Sequence, residues 1–280
     1  MNSDFHTHTM LSPDSSMTVQ QVAEIALSRG LKAVAITDHA EMADGIFGFQ
    51  SPHCRSYETY RSTVERAASS DHLKGKIHVL LGVEVGYTTG DHALASEFLD
   101  SYDFDVVLGS VHNSPPVDWW NPEGGELLRT SPEVGVEALV WYFTQLEAAA
   151  SSGLFDIIGH IDVYERYHPG LWPNPFTHSK IAPLAKKAVR ALAVNCRMEI
   201  NLDMMNKRGH FAWSAGKFLE LYREMGGKPP VAGSDSHRPE YVGLHIRKAE
   251  ELARKAGFPG LAPWEEVVAK RKAQGRTVLI

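Results

Sequence analysis

The sequence predicts an α/β fold in which about seven parallel strands close into a barrel. Short apolar runs alternate with longer amphipathic stretches, an order typical of parallel strands joined by right-handed helical crossovers. Polar residues end almost every apolar run, and no glycine-rich phosphate loop follows the first one, which favours a barrel over an open sheet. No repeat, low-complexity tract or polar linker divides the chain. We therefore expect residues 1–280 to form a single barrel domain, a length that α/β barrels can use as one unit.

Seven segments are predicted as strands because each is a short, mainly apolar run. They are residues 4–8, 32–36, 77–84, 105–109, 156–159, 197–201 and 230–233. Seven amphipathic segments are predicted as helices: 18–29, 56–70, 92–100, 132–152, 177–193, 214–226 and 240–256. The first helix has the clearest boundaries, since Thr18 can form an N-cap with Gln21 three residues later and Gly30 can end the helix.

Composition excludes several classes of protein. With 43% apolar and 22% charged residues and a formal net charge of −6, the chain reads as globular, and no basic excess indicates a nucleic-acid groove. Its two cysteines suggest neither a disulfide framework nor a thiolate zinc site. The chain shows neither a signal-peptide pattern nor an apolar run of about 18 residues. We therefore expect a cytoplasmic protein with no membrane or nucleic-acid partner, whose oligomeric state the sequence does not indicate.

The first strand carries two histidines, His6 and His8, that are two residues apart. Residues i and i+2 of a strand point to the same face, so both rings can bind one metal ion. The spacing alone is weak evidence, because such pairs are common by chance. It predicts half of a metal site.

Further potential ligands follow the other predicted strands. The carboxyl ends of parallel barrel strands meet at one mouth, so these side chains should converge although they are distant in sequence. Imidazole and carboxylate donors suit Zn, Mn or Fe(II), and the lack of thiolates favours a catalytic over a closed structural site. A strand-end histidine can also be an ordinary polar residue of a barrel rim, but this interpretation is hard to maintain for six strand ends, the first strand included. The candidates are His39, Glu84, His112, His160, Asp235 and His237.

These motifs together resemble those of the polymerase and histidinol phosphatase (PHP) family of metal-dependent phosphoesterases. The resemblance covers most of the chain and rests on His6-Thr7-His8, Ile36-Thr37-Asp38-His39, Gly82-Val83-Glu84, Gly109-Ser110-Val111-His112, Gly159-His160-Ile161-Asp162 and Gly233-Ser234-Asp235-Ser236-His237. Within the family, the run from Gly82 through Tyr102-Asp103-Phe104-Asp105 is most similar to the histidinol-phosphate phosphatase branch. The resemblance implies a distorted (β/α)7 TIM-like barrel with its metal site at the C-terminal ends of the strands.

The resemblance also implies two to three divalent metal ions (Mn, Fe or Zn) and a ligand set. Alone, Asp14 would read as a turn or helix-entry residue, and the resemblance assigns it to the third ion. Glu84 would bridge the first two ions, because its carboxylate has two oxygens. The implied sets are His6, His8, Glu84 and Asp235 for one ion, Glu84, His112 and His160 for a second, and Asp14, His39 and His237 for a third.

The implied activity is that of a metal-dependent phosphomonoesterase, which hydrolyses L-histidinol phosphate in histidine biosynthesis through attack by a metal-bridging hydroxide. Asp235 can accept a proton from the incoming water, and His237 or His39 can act near the leaving group. One alternative is a related phosphoesterase acting on nucleotides, nucleoside bisphosphates or short oligonucleotides. Another is a metal-binding accessory module without turnover.

Phosphate binding requires cationic donors, and arginine matches phosphate oxygens with two parallel hydrogen bonds. We expect Arg166 and Arg208 in this role, although each alone is more often a solvated charge. Two roles are open to Trp119 and Trp120, which can form a wall of the pocket or only line its rim. The chain departs from the family pattern after His39 and after Asn201, in two loops that we expect to face the substrate, and these departures permit a substrate other than L-histidinol phosphate.

Overall fold

The computed structural model describes residues 3–43 and 46–273, in which parallel strands form the wall of a barrel. The strands are β1 (Ser3–Asp4), β2 (Ala33–Ile36), β3 (His39–Ala43), β4 (Ile46–Phe49), β5 (His78–Gly86), β6 (Val106–Ser110), β7 (Ile157–Ile158), β8 (Arg197–Asn201) and β9 (Val231–Gly233). Their order around the wall is β1-β2-β5-β6-β7-β8-β9, and every neighbouring pair in this path is parallel. The predicted α/β barrel is confirmed, and each of the seven predicted strands is present.

The chain that follows β1 closes the barrel against the last strand. The amide of Phe5 donates to the carbonyl of Ala232 at 2.9 Å, and the amide of Asp235 donates to the carbonyl of His6 at 2.8 Å. On the other side, the amide of Thr37 donates to the carbonyl of Thr7 at 2.9 Å. Residues 5–8 therefore belong to the barrel wall, and both histidines of this segment are fixed at its mouth.

Helices surround the wall at α1 (Val19–Ser28), α2 (Tyr57–Ala68), α3 (His92–Ser101), α4 (Pro122–Thr130), α5 (Pro132–Ser151), α6 (Ala182–Asn195), α7 (Asp203–Arg208), α8 (Ala215–Glu224), α9 (Ile246–Lys255) and α10 (Trp264–Ala273). The predicted capping box is present, since Thr18 Oγ1 accepts from the Gln21 amide and Gln21 Oε1 accepts from the Thr18 amide. The last predicted helix begins six residues late, because Gly243 and His245 adopt left-handed backbone angles. None of the helices in the described ranges is long and apolar enough to cross a membrane.

A hairpin occupies the segment after His39 that the sequence analysis treated as a loop. β3 pairs antiparallel with β4 and also continues the wall, running parallel to the end of β5. Phe47 and Phe49 of β4 pack against Phe98 of α3, and their ring centroids lie 5.5 and 5.8 Å, respectively, from the ring centroid of Phe98. Residues 44–45 lie outside the described ranges. The hairpin thus places residues 39–43 beside the barrel mouth.

Apolar side chains fill the barrel interior below that mouth. Phe5, Leu80, Leu108 and Ile157 are buried in one cluster with Trp264 and Val268 of α10. Arg271 of α10 makes a buried ion pair with Asp156, which lies just before β7. Helix α10 therefore closes the N-terminal end of the barrel, and polar side chains occupy the opposite end.

Replacement of Asp4 by alanine is expected to lower the free energy of unfolding by about 2–4 kcal/mol. The buried Asp4 carboxylate accepts backbone hydrogen bonds from Ser234 and Gly243 at 2.8 Å and from His6 at 3.3 Å, and alanine leaves these buried donors unpaired. Urea denaturation of the metal-free protein measures the change. Asp4→Asn retains an acceptor oxygen and should lose less. An alanine variant within 0.5 kcal/mol of the wild type, roughly the size of an ordinary surface effect, would contradict this role.

Candidate metal centre

The C-terminal ends of the barrel strands bring all the predicted ligands to one mouth. His6 and His8 follow β1, Glu84 lies near the end of β5, and the loop before α1 supplies Asp14. Most of these side chains are shielded from solvent, and Asp14 is the most exposed of them. The others at the mouth are His39 at the start of β3, His112 after β6, His160 after β7, and Asp235 and His237 after β9.

Glu84 lies at the centre of this group and is fully buried. Its Oε1 is 3.1 Å from His112 Nε2 and 3.0 Å from His160 Nε2. Its Oε2 faces the other half of the mouth, at 3.2 Å from His6 Nε2, 3.5 Å from His8 Nε2 and 3.0 Å from His39 Nδ1. The two carboxylate oxygens of Glu84 thus face two different sets of imidazoles, as the oxygens of a bridging carboxylate must.

Among the described residues the donor atoms form four groups, three of which overlap the ligand sets implied by the resemblance. Within each group the atoms lie within 4.8 Å of one another, close enough to share one cation. Among the described residues, no hydrogen bond of good geometry reaches the buried Oε2 of Glu84, an arrangement that suits a cation partner. The residues therefore fit divalent metal ions, while the role of each as a ligand stays a prediction. These three groups are His6, His8 and Asp235; Glu84, His112 and His160; and His8, Asp14, His39 and His237. The fourth is His39, Glu41 and His112, and it contains Glu41, which no implied set includes.

Two further carboxylates orient these imidazoles, and the sequence analysis did not include them in the site. Glu199 Oε1 of β8 is 2.7 Å from His6 Nδ1, and its Oε2 accepts from the His160 amide at 2.6 Å. Glu41 Oε1 of β3 is 2.6 Å from His112 Nδ1. A carboxylate on one ring nitrogen directs the other nitrogen toward the metal position. The signal available for Glu199 was a charged residue inside an apolar strand, whereas Glu41 gave no comparable signal.

Burial and neighbouring charges shift the pKa values across the centre. Burial raises the pKa of Glu84, but the charges of His6 and His112 hold it well below its usual range. Burial lowers the pKa of His112, whereas the carboxylates of Glu41 and Glu84 raise it to about 9. Burial, together with the nearby rings of His237 and His39, lowers the pKa of His8 to about 3. A buried carboxylate that stays ionised beside a neutral imidazole is a suitable pair of donors for a divalent cation.

Arg166, one of the predicted phosphate-binding residues, lies beside the centre. Its guanidinium is mostly buried, with Nη2 2.5 Å from Asp235 Oδ2 and Nε 3.7 Å from Asp203 Oδ2. It lines a cavity of about 190 Å³ that opens onto the metal-ligand cluster. Lys207 lines the same cavity and is a second cation that the sequence analysis missed. Its Nζ is 2.6 Å from Asp203 Oδ1.

The remaining predicted substrate residues lie around an adjoining depression of about 440 Å³. Arg208 is exposed and donates from Nη2 to the carbonyl of Arg166 at 2.7 Å. Trp119 is fully buried against Tyr142. Trp120 is 45% exposed and lines both cavities, so it is the tryptophan that can form the predicted pocket wall. Both indole N–H groups donate to the carbonyl of His112, at 3.0 and 3.1 Å.

Comparison with known proteins gives matches along most of the chain. The sequence model of the PHP domain family matches residues 4–202. A probable histidinol-phosphatase of Deinococcus radiodurans is 30% identical over 260 residues, which are 91% of this chain and 93% of that protein. A histidinol-phosphatase of Lactococcus lactis is 26% identical over 267 residues, 92% of this chain and 93% of that protein. The crystal structure of the Lactococcus lactis histidinol phosphate phosphatase, complexed with zinc, L-histidinol and phosphate, superposes with a TM-score of 0.74 and 25% identity over 93% of this chain and 95% of that one.

Proposed function

The chain belongs to the PHP family, and from this premise we propose that it hydrolyses L-histidinol phosphate to L-histidinol and phosphate. The observation that carries the proposal is the carboxylate of Glu84, which lies between two groups of imidazoles at the mouth of the barrel. Relatives named as histidinol-phosphatases match nearly the full chain, which supports this substrate over other phosphomonoesters. We assign the chain to the phosphoric monoester hydrolases of histidine biosynthesis.

The proposed cofactor is a set of two to three divalent ions held by the three donor groups. Zinc is present in the Lactococcus lactis structure, and Mn and Fe(II) accept the same nitrogen and oxygen donors. Bound ions supply Lewis-acid stabilisation of phosphoryl oxygens and lower the pKa of water. The side chains around them bind the substrate and handle protons.

Asp235 connects the metal-ligand cluster to the phosphate-binding cation. Its Oδ1 is 3.3 Å from His8 Nε2, and its Oδ2 is 2.5 Å from Arg166 Nη2 and 3.2 Å from Asn201 Nδ2. Arg166 is thereby held at the cavity wall, where its guanidinium can bind phosphoryl oxygens in place of solvent. We assign to Asp235 the role of accepting the proton of the incoming water.

Delivery of a proton to the leaving alcohol is assigned to the two histidines beside Asp14. His39 Nε2 and His237 Nε2 lie 3.5 and 2.9 Å from Asp14 Oδ2, and both rings line the cavity. Trp120 lies at the same opening and provides an apolar wall for the imidazole of the substrate. The two candidate acids, His39 and His237, could act in this way only while the group they form with His8 and Asp14 holds no ion.

Release of inorganic phosphate from a substrate panel tests the proposal. The panel contains L-histidinol phosphate, nucleoside monophosphates, a nucleoside bisphosphate and an aryl phosphate, each with added zinc or manganese and with a chelated control. We expect kcat/KM for L-histidinol phosphate to exceed the others by at least about 100-fold, roughly 2.7 kcal/mol of transition-state preference, and chelation to abolish it. Absence of turnover by the metal-loaded protein would contradict the proposal and favour the accessory role.

A phosphoesterase acting on nucleotides is the second candidate, and one feature favours it. The depression beside the cavity is lined by Arg129, His168 and Arg208 together with Trp120 and Tyr167. Cationic and aromatic side chains of this kind suit a second phosphate and a base. A higher kcat/KM for the nucleoside bisphosphate than for L-histidinol phosphate would select this function.

A further inference from the structure

Glu41 makes a direct contact with one of the predicted metal ligands but belongs to none of the implied ligand sets. Its Oε1 is 2.6 Å from His112 Nδ1, whereas the same oxygen is 3.7 Å from His39 Nδ1. The other nitrogen of His112, Nε2, faces Glu84 Oε1 at 3.1 Å. The imidazole of His112 therefore lies between two carboxylates, one on the hairpin and one at the centre of the site.

The fold holds the Glu41 carboxylate in this place. β3 runs parallel to β5 with His39 opposite Glu84 and Ala40 opposite Val85, so Glu41 lies alongside Gly86. A Cβ at Gly86 would be 1.7 Å from Glu41 Oε2. The absence of a side chain at residue 86 thus leaves the space that the carboxylate occupies, and any larger residue there would displace it.

The distance between Glu41 and His112 fits a hydrogen bond and does not fit a shared ion. Zinc bonds to nitrogen and to carboxylate oxygen are each about 2.0–2.2 Å long, so two ligands of one tetrahedral ion lie more than about 3 Å apart. A nitrogen to oxygen distance of 2.6 Å is that of a short, charge-assisted hydrogen bond. Glu41 is therefore placed to act on the imidazole of His112 rather than on a metal.

We propose that Glu41 is a positioning residue, which accepts the Nδ1–H of His112 and so fixes the tautomer whose Nε2 faces Glu84 and His160. The same arrangement is present across the barrel, where Glu199 Oε1 lies 2.7 Å from His6 Nδ1. Each half of the centre thus has one histidine held by a carboxylate outside the ligand sets. The inference rests on the proposed metal site and is independent of which phosphomonoester is the substrate.

Zinc affinity tests the inference without use of the enzymatic activity. Metal-free wild type, Glu41→Ala, Glu41→Gln and Gly86→Ala are titrated with zinc in competition with a chromogenic chelator. We expect Glu41→Ala and Gly86→Ala to weaken zinc binding by about 10- to 100-fold, the usual effect of losing such a partner. Glu41→Gln should lose less, since its amide oxygen still accepts the hydrogen bond. Met42→Ala is the matched control, because Met42 is the next residue of β3, is 46% exposed and should bind zinc as the wild type does.

The Nδ1 proton of His112 gives a second readout that a purely structural role would not change. In zinc-loaded, ¹⁵N-histidine-labelled protein, the wild type should show strongly downfield, slowly exchanging Nδ1–H resonances of His112 and His6. Glu41→Ala should remove that of His112 and leave that of His6, and Met42→Ala should retain both. Wild-type zinc affinity and an unchanged resonance in Glu41→Ala would overturn the proposal. A metal-bound Nδ1 in the wild type would also overturn it, by making Glu41 part of an ion site.

Two measurements distinguish failure of the positioning role of Glu41 from a loss of folding stability and from failure of the proposed function. Glu41 lies on a partly exposed hairpin, so its variants should unfold in urea near the wild-type midpoint, and a large loss of metal-free stability with wild-type zinc affinity would assign it a structural role instead. If the panel shows a different substrate while Glu41→Ala still weakens zinc binding, the proposed function fails and the positioning role stands. If L-histidinol phosphate is the preferred substrate while Glu41→Ala binds zinc as the wild type does, the proposed function stands and the positioning role of Glu41 fails.

Discussion

A Glu84→Gln variant is expected to lose kcat/KM for L-histidinol phosphate by at least about a thousandfold, a change of roughly 4 kcal/mol. Glutamine retains the volume of the side chain but replaces one carboxylate oxygen with an NH2 group, which would point at the imidazoles now facing Oε1 or Oε2. The substitution also removes the negative charge from the centre of the cluster. Both changes disfavour cations on either side of residue 84.

Measurement of bound metal together with activity makes this result specific. Purified Glu84→Gln should hold less metal per chain than the wild type, and excess metal should restore little of the activity. Glu97→Gln is the matched control, because Glu97 is an exposed residue of α3, the helix after β5. A variant that retains more than a tenth of the wild-type kcat/KM at full metal occupancy would show that Glu84 does not bridge the two groups.

The position of Glu84 was accessible from sequence because the barrel follows from simple patterns. Six of the seven predicted strands contain a predicted metal-binding side chain near their end or are followed by one within four residues, and parallel strands place their carboxyl ends at one mouth. This reasoning brings His6 and Glu84 together, and in the structure His6 Nε2 is 3.2 Å from Glu84 Oε2. The prediction needed only the direction of the strands, and no detail of their register.

The contacts of Glu41 and Glu199 were not accessible in the same way. Glu41 reaches His112 only because β3 pairs with β5 in a register that puts it beside Gly86, and strand register is set by contacts between distant residues. The short hairpin that carries Glu41 offers too few residues for a periodic signal. Glu199 lay within a predicted strand, but its pairing with His6 depends on closure of the barrel between β9 and the chain after β1.

The sequence patterns also did not predict how deeply each of the predicted substrate-binding side chains is buried. Trp119 and Trp120 are neighbours in one loop, yet the first is fully buried and the second is 45% exposed. Arg166 and Arg208 differ similarly, since the first is enclosed beside Asp235 and the second is exposed and bonded to a backbone carbonyl. The sequence analysis treated each pair as equivalent, whereas in the structure Trp120 and Arg166 line the cavity beside the metal-ligand cluster.

An Arg166→Lys variant is accordingly expected to lower kcat/KM for L-histidinol phosphate by about 100-fold. Lysine keeps the positive charge but lacks the planar fork that binds two phosphate oxygens at once. The guanidinium of Arg166 is enclosed next to Asp235 and Asp203, so a lysine ammonium in its place must choose between these carboxylates and the substrate. The inhibition constant of inorganic phosphate, a product of the reaction, should rise in parallel with the loss of kcat/KM.

Metal affinity distinguishes binding of phosphate by Arg166 from an action through Asp235. If Arg166 serves mainly to hold the Asp235 carboxylate, Arg166→Lys should weaken zinc binding and leave the inhibition constant of phosphate unchanged in the fully loaded enzyme. If Arg166 binds the substrate, zinc affinity should stay within about threefold of the wild type, a change of less than roughly 0.7 kcal/mol, while phosphate inhibition weakens. Arg190→Lys on the exposed face of α6 is the control for the substitution itself. Arg208→Ala should produce a smaller rise in KM than Arg166→Lys, because its exposed guanidinium donates to the carbonyl of Arg166 and does not line the cavity beside the metal-ligand cluster.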